Sequence, residues 1–169
     1  MKREDLQEEI SIEIENIQIT IQELNAIHRD VAEMAPTVRE KTAAAAFLAQ
    51  FYNGIENILK RISRFHGIPL PTGDTWHVDL FRRFCVPPVH PLPPLFDESL
   101  ASELAAYRKF RHVVHHGYGF QLEWERMEEG IRRVENVFAR FQGSLEEYLR
   151  ALQPMTTASS PAGNGCGRR

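Results

Sequence analysis

The stretch that decides the fold is residues 122–152, LEWERMEEGIRRVENVFARFQGSLEEYLRAL. Its apolar positions, Trp124, Met127, Ile131, Val134, Phe138, Phe141, Leu145, Tyr148 and Leu152, step alternately by three and four. That interval returns side chains to one face of an α-helix, whereas a strand needs a period of two. At about 1.5 Å per residue, a helix of about 30 residues runs for roughly 45 Å. It needs neighbours of similar length to cover its apolar face.

Those neighbours lie upstream. Residues 4–33 contain no Gly or Pro, and Ile10, Ile14, Ile17, Ile21, Leu24 and Val31 form a helical stripe. His28 falls on this stripe with nothing around it that suggests a site, so it reads as a core or boundary histidine. Ile12 and Ile19 fall on the opposite face and hint at a second buried surface, such as a subunit contact or a partner protein. A second helix is announced by Pro36 and by the capping-box spacing of Thr37 and Glu40. Its stripe is Ala44, Leu48, Phe51, Ile55, Ile58, Ile62 and Phe65, and Gly67 with Pro69 stops it. Gly54 costs that helix about 1 kcal/mol relative to Ala, which predicts a close crossing with another helix as compensation. From 68 to 97 the chain is proline-rich. Within it Asp74 is placed to cap a short amphipathic helix with Trp76, Leu80, Phe81 and Phe84 inward and Arg82 and Arg83 outward. Asp97 or Ser99 caps the third long helix, with Leu100, Leu104, Tyr107, Arg111 and Val114 on its stripe. The pattern predicts an all-α, antiparallel four-helix bundle over residues 1–152, with a proline-rich crossover carrying a short extra helix. Residues 153–169 are small, polar and unpatterned, and disorder is expected there.

Composition bounds the function. Of the 169 residues 43% are apolar and 25% charged, the range of a globular domain. A formal net charge of −3 argues against general binding of nucleic acid or anionic membrane, so any such function needs a local patch. Cys85 and Cys166 are too few and too far apart for a disulfide scaffold or a cysteine-rich zinc site. The opening MKREDLQEEI lacks a signal peptide's apolar run and no stretch of 18 apolar residues occurs, so a cytoplasmic protein away from the membrane is expected.

One segment breaks the pattern. Arg111 occupies a stripe position where an apolar residue belongs, and a guanidinium there needs either a carboxylate partner or an anion-binding cleft. Between Glu103 and Glu123 there is no acidic residue, while Arg108, Lys109, Arg111, His112, His115 and His116 all fall inside that window. A phosphate-binding cleft would need such a run. Two plainer readings stand beside it: histidines at a helix end that complement its dipole, and an Arg111 ion pair with a glutamate of another helix. His112 and His116 have the i, i+4 spacing of metal ligands, but no carboxylate accompanies them, and no metal or other cofactor is expected. Arg111 and His115 share a face in a continuous helix; Gly117 and Gly119 allow the helix to end and swing His116 and Tyr118 toward the arginine.

Arg111, four residues, His116, one residue and Tyr118 reproduce an R-x4-H-x-Y motif. With it the chain resembles the HEPN superfamily, in particular the HepT-like toxins paired with minimal nucleotidyltransferase (MNT) antitoxins. The likeness in helix layout covers about residues 1–152, with the motif at the junction of the last two long helices; the residue-level match is confined to 111–118. Many members carry Asn or Asp directly after the arginine, where this chain has His112.

The resemblance implies a metal-independent endoribonuclease. His116 would exchange protons with the ribose 2′-hydroxyl or the leaving oxygen, and Arg111 would hold phosphate oxygens as charge builds up. His115 competes with His116 for that role, and the H-x-Y spacing favours His116. It also implies a homodimer that brings two motifs into one cleft, and an MNT-type nucleotidyltransferase that adenylylates Tyr118. Tyr118 has a second reading, as a residue that orients substrate or arginine. Arg108, Lys109, His112 and His115 are secondary candidates for contacts to the RNA backbone, beside the plainer reading of each as a solvated surface residue. The alternatives are a non-catalytic HEPN-like binding subunit of a nucleotidyltransferase and a plain helical scaffold.

Overall fold

The computed structural model describes residues 2–116 and 122–152, the side chains of Val113 and His116 excepted. The expectations for Tyr118 and for a disordered tail after residue 152 therefore lie outside the described residues. Five helices follow in order: α1 (Arg3–Asp30), α2 (Val38–Phe65), α3 (Trp76–Arg82), α4 (Glu98–His116) and α5 (Trp124–Ala151). Four long helices form the bundle and α3 is the short helix of the crossover, so the all-α expectation holds. Among the described residues β-structure is confined to an isolated bridge between Cys85 and Phe96.

Cross-helix contacts fix the directions. Arg61, near the end of α2, pairs with Glu9 and, at 2.7 Å, with Glu13 near the start of α1. His28, near the end of α1, meets Glu128 at the start of α5 at 3.1 Å. Glu103, early in α4, is paired with Arg140, late in α5. Each of these helix pairs is antiparallel. His28 is thus the boundary histidine expected, satisfied by a carboxylate.

Every stripe residue of α5 from Trp124 to Tyr148 is buried. So are those of α2 from Ala44 to Ile62, with Phe65 half-buried. Phe51 sits where the stripes converge, its ring 5.0 Å from Tyr107 and 6.4 Å from Phe138. The close crossing expected at Gly54 is there: a Cβ on it would lie 2.5 Å from Ile17 Cγ1. Thr37 and Glu40 form the anticipated capping box, with Thr37 N–H donating to the Glu40 carboxylate at 2.7 Å. Asp97 caps α4, its Oδ1 accepting from Leu100 N–H at 2.7 Å.

The crossover departs from expectation in two details. The N-cap of α3 is Thr75, whose hydroxyl donates to Asp79 at 2.9 Å, so Asp74 is not the cap. Arg82 faces out, whereas Arg83 is half-buried because its guanidinium reaches back to the Pro69 carbonyl at 2.6 Å. Phe81 stacks on Phe96 at 4.6 Å, and Phe96 on Phe141 of α5 at 5.7 Å. This ladder anchors the crossover against the bundle and carries α3 past α2 and α4. Ile12 and Ile19 are 51% and 56% exposed, on the face of α1 away from the core.

Candidate functional site

The site begins with the locking of α4. One turn before Arg111, the Tyr107 hydroxyl donates to the Gly130 carbonyl of α5 at 2.7 Å, while its ring packs edge-on against Phe51 of α2. With Tyr107 pinned on two sides, Arg111 is aimed at α2 and α3. Its Nε donates to the side-chain oxygen of Asn53 on α2. Its Nη1 lies 3.3 Å from Nδ1 and 3.1 Å from Nε2 of His77 on α3. In the ring plane, near-equal distances to both nitrogens would drive Nη1 into Cε1. The guanidinium therefore rests over the imidazole face, where a cation meets the π-electrons.

The imidazole is itself held. His77 Nδ1 is 2.6 Å from the Glu56 carboxylate, which is 2% exposed, and Lys60 Nζ meets the other Glu56 oxygen at 3.1 Å. A carboxylate accepts only, so Nδ1 carries the hydrogen and Nε2 is the bare nitrogen when the ring is neutral. Burial holds the His77 imidazole below its ordinary pKa; the Glu56 carboxylate opposes this and the charges of Arg111 and Lys60 reinforce it. Trp76 completes the floor, its ring 3.5 Å from His77 and 4.5 Å from Lys60 Nζ.

Above this network opens a cleft of about 1000 Å³ between α3 and α4, lined by Gly73, Asp74, Trp76, His77, Val78, Arg108, Lys109, Arg111, His112 and His115. Five of the seven site residues predicted from sequence line this one cleft. Lys109, His112 and His115 are exposed, and Arg108 is half-buried with its guanidinium 5.0 Å from the Phe81 ring. His116 is the last residue of α4; its side chain, and Tyr118, lie outside the described residues. Arg111 was expected to meet a carboxylate directly or to border an anion cleft. It borders the cleft, and the carboxylate, Glu56, stands behind an intervening imidazole. Asp74 is the one acidic residue among the lining groups. Among the described residues no three His, Cys, Asp or Glu side chains converge as a metal site would require.

Sequence reasoning missed Asn53, Glu56 and His77. A signal for Glu56 existed: a lone carboxylate between Ile55 and Ile58 on the most apolar helix, with Lys60 four residues on. His77 gave no comparable signal, because its meaning depends on a neighbour 34 residues away.

A family model described as HepT-like protein matches residues 43–152, which include every residue of this network and cleft. The chain belongs to the HepT-like family. Its all-helical bundle is of the HEPN type expected from the motif. No curated protein and no solved structure matches this HepT-like chain. No helix of the described residues is long and apolar enough to cross a membrane.

Proposed function

We propose that this HepT-like protein is an endoribonuclease toxin that cuts RNA without a metal, by attack of the 2′-hydroxyl on the adjacent phosphate. The observation that carries this is the placement of Arg111: a guanidinium oriented by Asn53 and His77, at the wall of a cleft that also gathers Arg108, Lys109, His112 and His115. A phosphodiester in that cleft meets several donors at once, and Arg111 offsets the negative charge that grows on phosphorus oxygens in the transition state. His116, five residues on at the end of α4, exchanges a proton with the sugar oxygens, and Tyr118 orients the phosphate or receives a nucleotidyl group that fills the cleft with negative charge. The working unit is a homodimer with two motifs in one cleft, and the natural inhibitor is an MNT-type nucleotidyltransferase made beside it in the cytoplasm.

The test is cleavage of cellular RNA by the purified protein in EDTA, together with growth arrest on expression. Arg111→Ala and His116→Ala each lower the cleavage rate by about 10²-fold or more and relieve the arrest. Undiminished cleavage by His116→Ala overturns the motif assignment. RNA binding without any cleavage, with a nucleotidyltransferase bound, would instead make the protein a non-catalytic subunit.

A further inference from the structure

The motif gives each chain one histidine for a reaction that moves two protons, and the crossover helix adds the carboxylate-held imidazole of His77 to the cleft that His112 and His115 also line. We infer that His77, held by Glu56, is a second acid–base residue of the cleft and that its Nε2 takes the proton of the attacking 2′-hydroxyl. The inference rests on the ribonuclease reading and adds to it a catalytic group outside the motif.

Three observations carry it. The Glu56 carboxylate, 2% exposed, is committed to the His77 Nδ1 hydrogen at 2.6 Å, which fixes the tautomer and leaves Nε2 as the basic atom. The His77 side chain is 23% exposed and lines the cleft, so the ring is within reach of a bound sugar. Arg111 rests on the same ring, so a phosphate gripped by the guanidinium lies beside the imidazole. Asn53 also holds the guanidinium, through its Nε, so the imidazole is not the sole support of Arg111. The charged groups facing His77 are Glu56 and Lys60 from α2 and Arg111 from α4. Burial disfavours the protonated ring and so favours the neutral state a base requires.

The step balances within the site. The 2′-oxygen bonds to phosphorus as its proton passes to His77 Nε2. The bond from phosphorus to the 5′-oxygen breaks, and that oxygen takes a proton from the imidazolium of His116. The products are a 2′,3′-cyclic phosphate and a 5′-hydroxyl.

Single-turnover cleavage of a fluorescent oligoribonucleotide pool in EDTA, from pH 5 to 9, tests it. His77→Gln lowers the rate by about 10²–10⁴-fold, leaves RNA affinity nearly unchanged and removes the acid-side limb of the pH profile. Added imidazole restores cleavage to His77→Gly. A His77→Gln rate and acid limb equal to those of the unaltered protein, beside an inactive Arg111→Ala, overturns this inference and leaves the ribonuclease reading standing. An inactive unaltered protein overturns both. In the unaltered protein, nitrogen-15 spectra read the ring directly: a 2′-deoxy oligonucleotide shifts the His77 Nε2 signal, and an unmoved signal also overturns the assignment.

Discussion

Glu56 is a buried carboxylate on α2 between Asn53 and Lys60, and its two oxygens answer to an imidazole and an ammonium. His77's own burial holds its imidazole below the ordinary pKa, against the opposing pull of the Glu56 carboxylate. His66 is shifted the same way, by burial first and by the nearby charge of His90, while its Nε2 contacts the Tyr148 hydroxyl at 3.0 Å. Both rings accept a proton less readily in the folded chain than in the unfolded one. Stability is therefore full above about pH 6.5, the unfolded histidine value, and falls as pH drops from there toward the lowered folded values. Urea midpoints at pH 7.5 and 5.5 check this: the midpoint is lower at pH 5.5, and His66→Gln narrows the difference. The acidic groups held below their usual range, Glu40 and Glu128, titrate at lower pH and leave that window to the histidines.

The α1 and α2 helices cross where Gly54 admits the Ile17 side chain, and a methyl group there would overlap Cγ1 and Cδ1 at 2.5 and 2.9 Å. Gly54→Ala therefore gains about 1 kcal/mol of helix propensity but costs about 1–3 kcal/mol of overpacking. Thermal denaturation is expected to show a net fall of several degrees in Tm, and Gly54→Ala with Ile17→Ala recovers part of it at the crossing. This crossing was legible in the sequence, because a glycine in the middle of a long helix weakens it unless a neighbour presses close against it. The stripes of α2 and α5 and the Thr37–Glu40 cap were legible because periodicity and capping are local. Arg111 was legible as a charge in an apolar register. Its partners were not, since Asn53 lies 58 residues away and His77 34. The assignment of Asp74 as a cap failed by one residue: the helix starts after Thr75, whose hydroxyl turns to the Asp79 carboxylate and not to a backbone N–H.

The net charge of −3 is an average over an acidic bundle and one basic cleft. Binding of single-stranded RNA should accordingly weaken with salt, and each phosphate contact adds about 0.7 to the slope of log K against log salt. Lys109→Ala and Arg108→Ala are each expected to lower that slope by roughly this amount, uniformly across sequences, because phosphate contacts carry no base identity. A slope unchanged in both variants would place the RNA elsewhere on the surface. The order of the elements along the chain has a further consequence for synthesis. Asn53, Glu56 and His77 belong to α2 and α3, whereas Arg111 comes after the crossover and is locked by Tyr107 only once Gly130 of α5 exists. Until then Arg111 has its Asn53 and His77 partners but lacks the lock on α5. The lock on the arginine forms only after residue 130 has left the ribosome, a built-in delay for a protein whose proposed target is RNA.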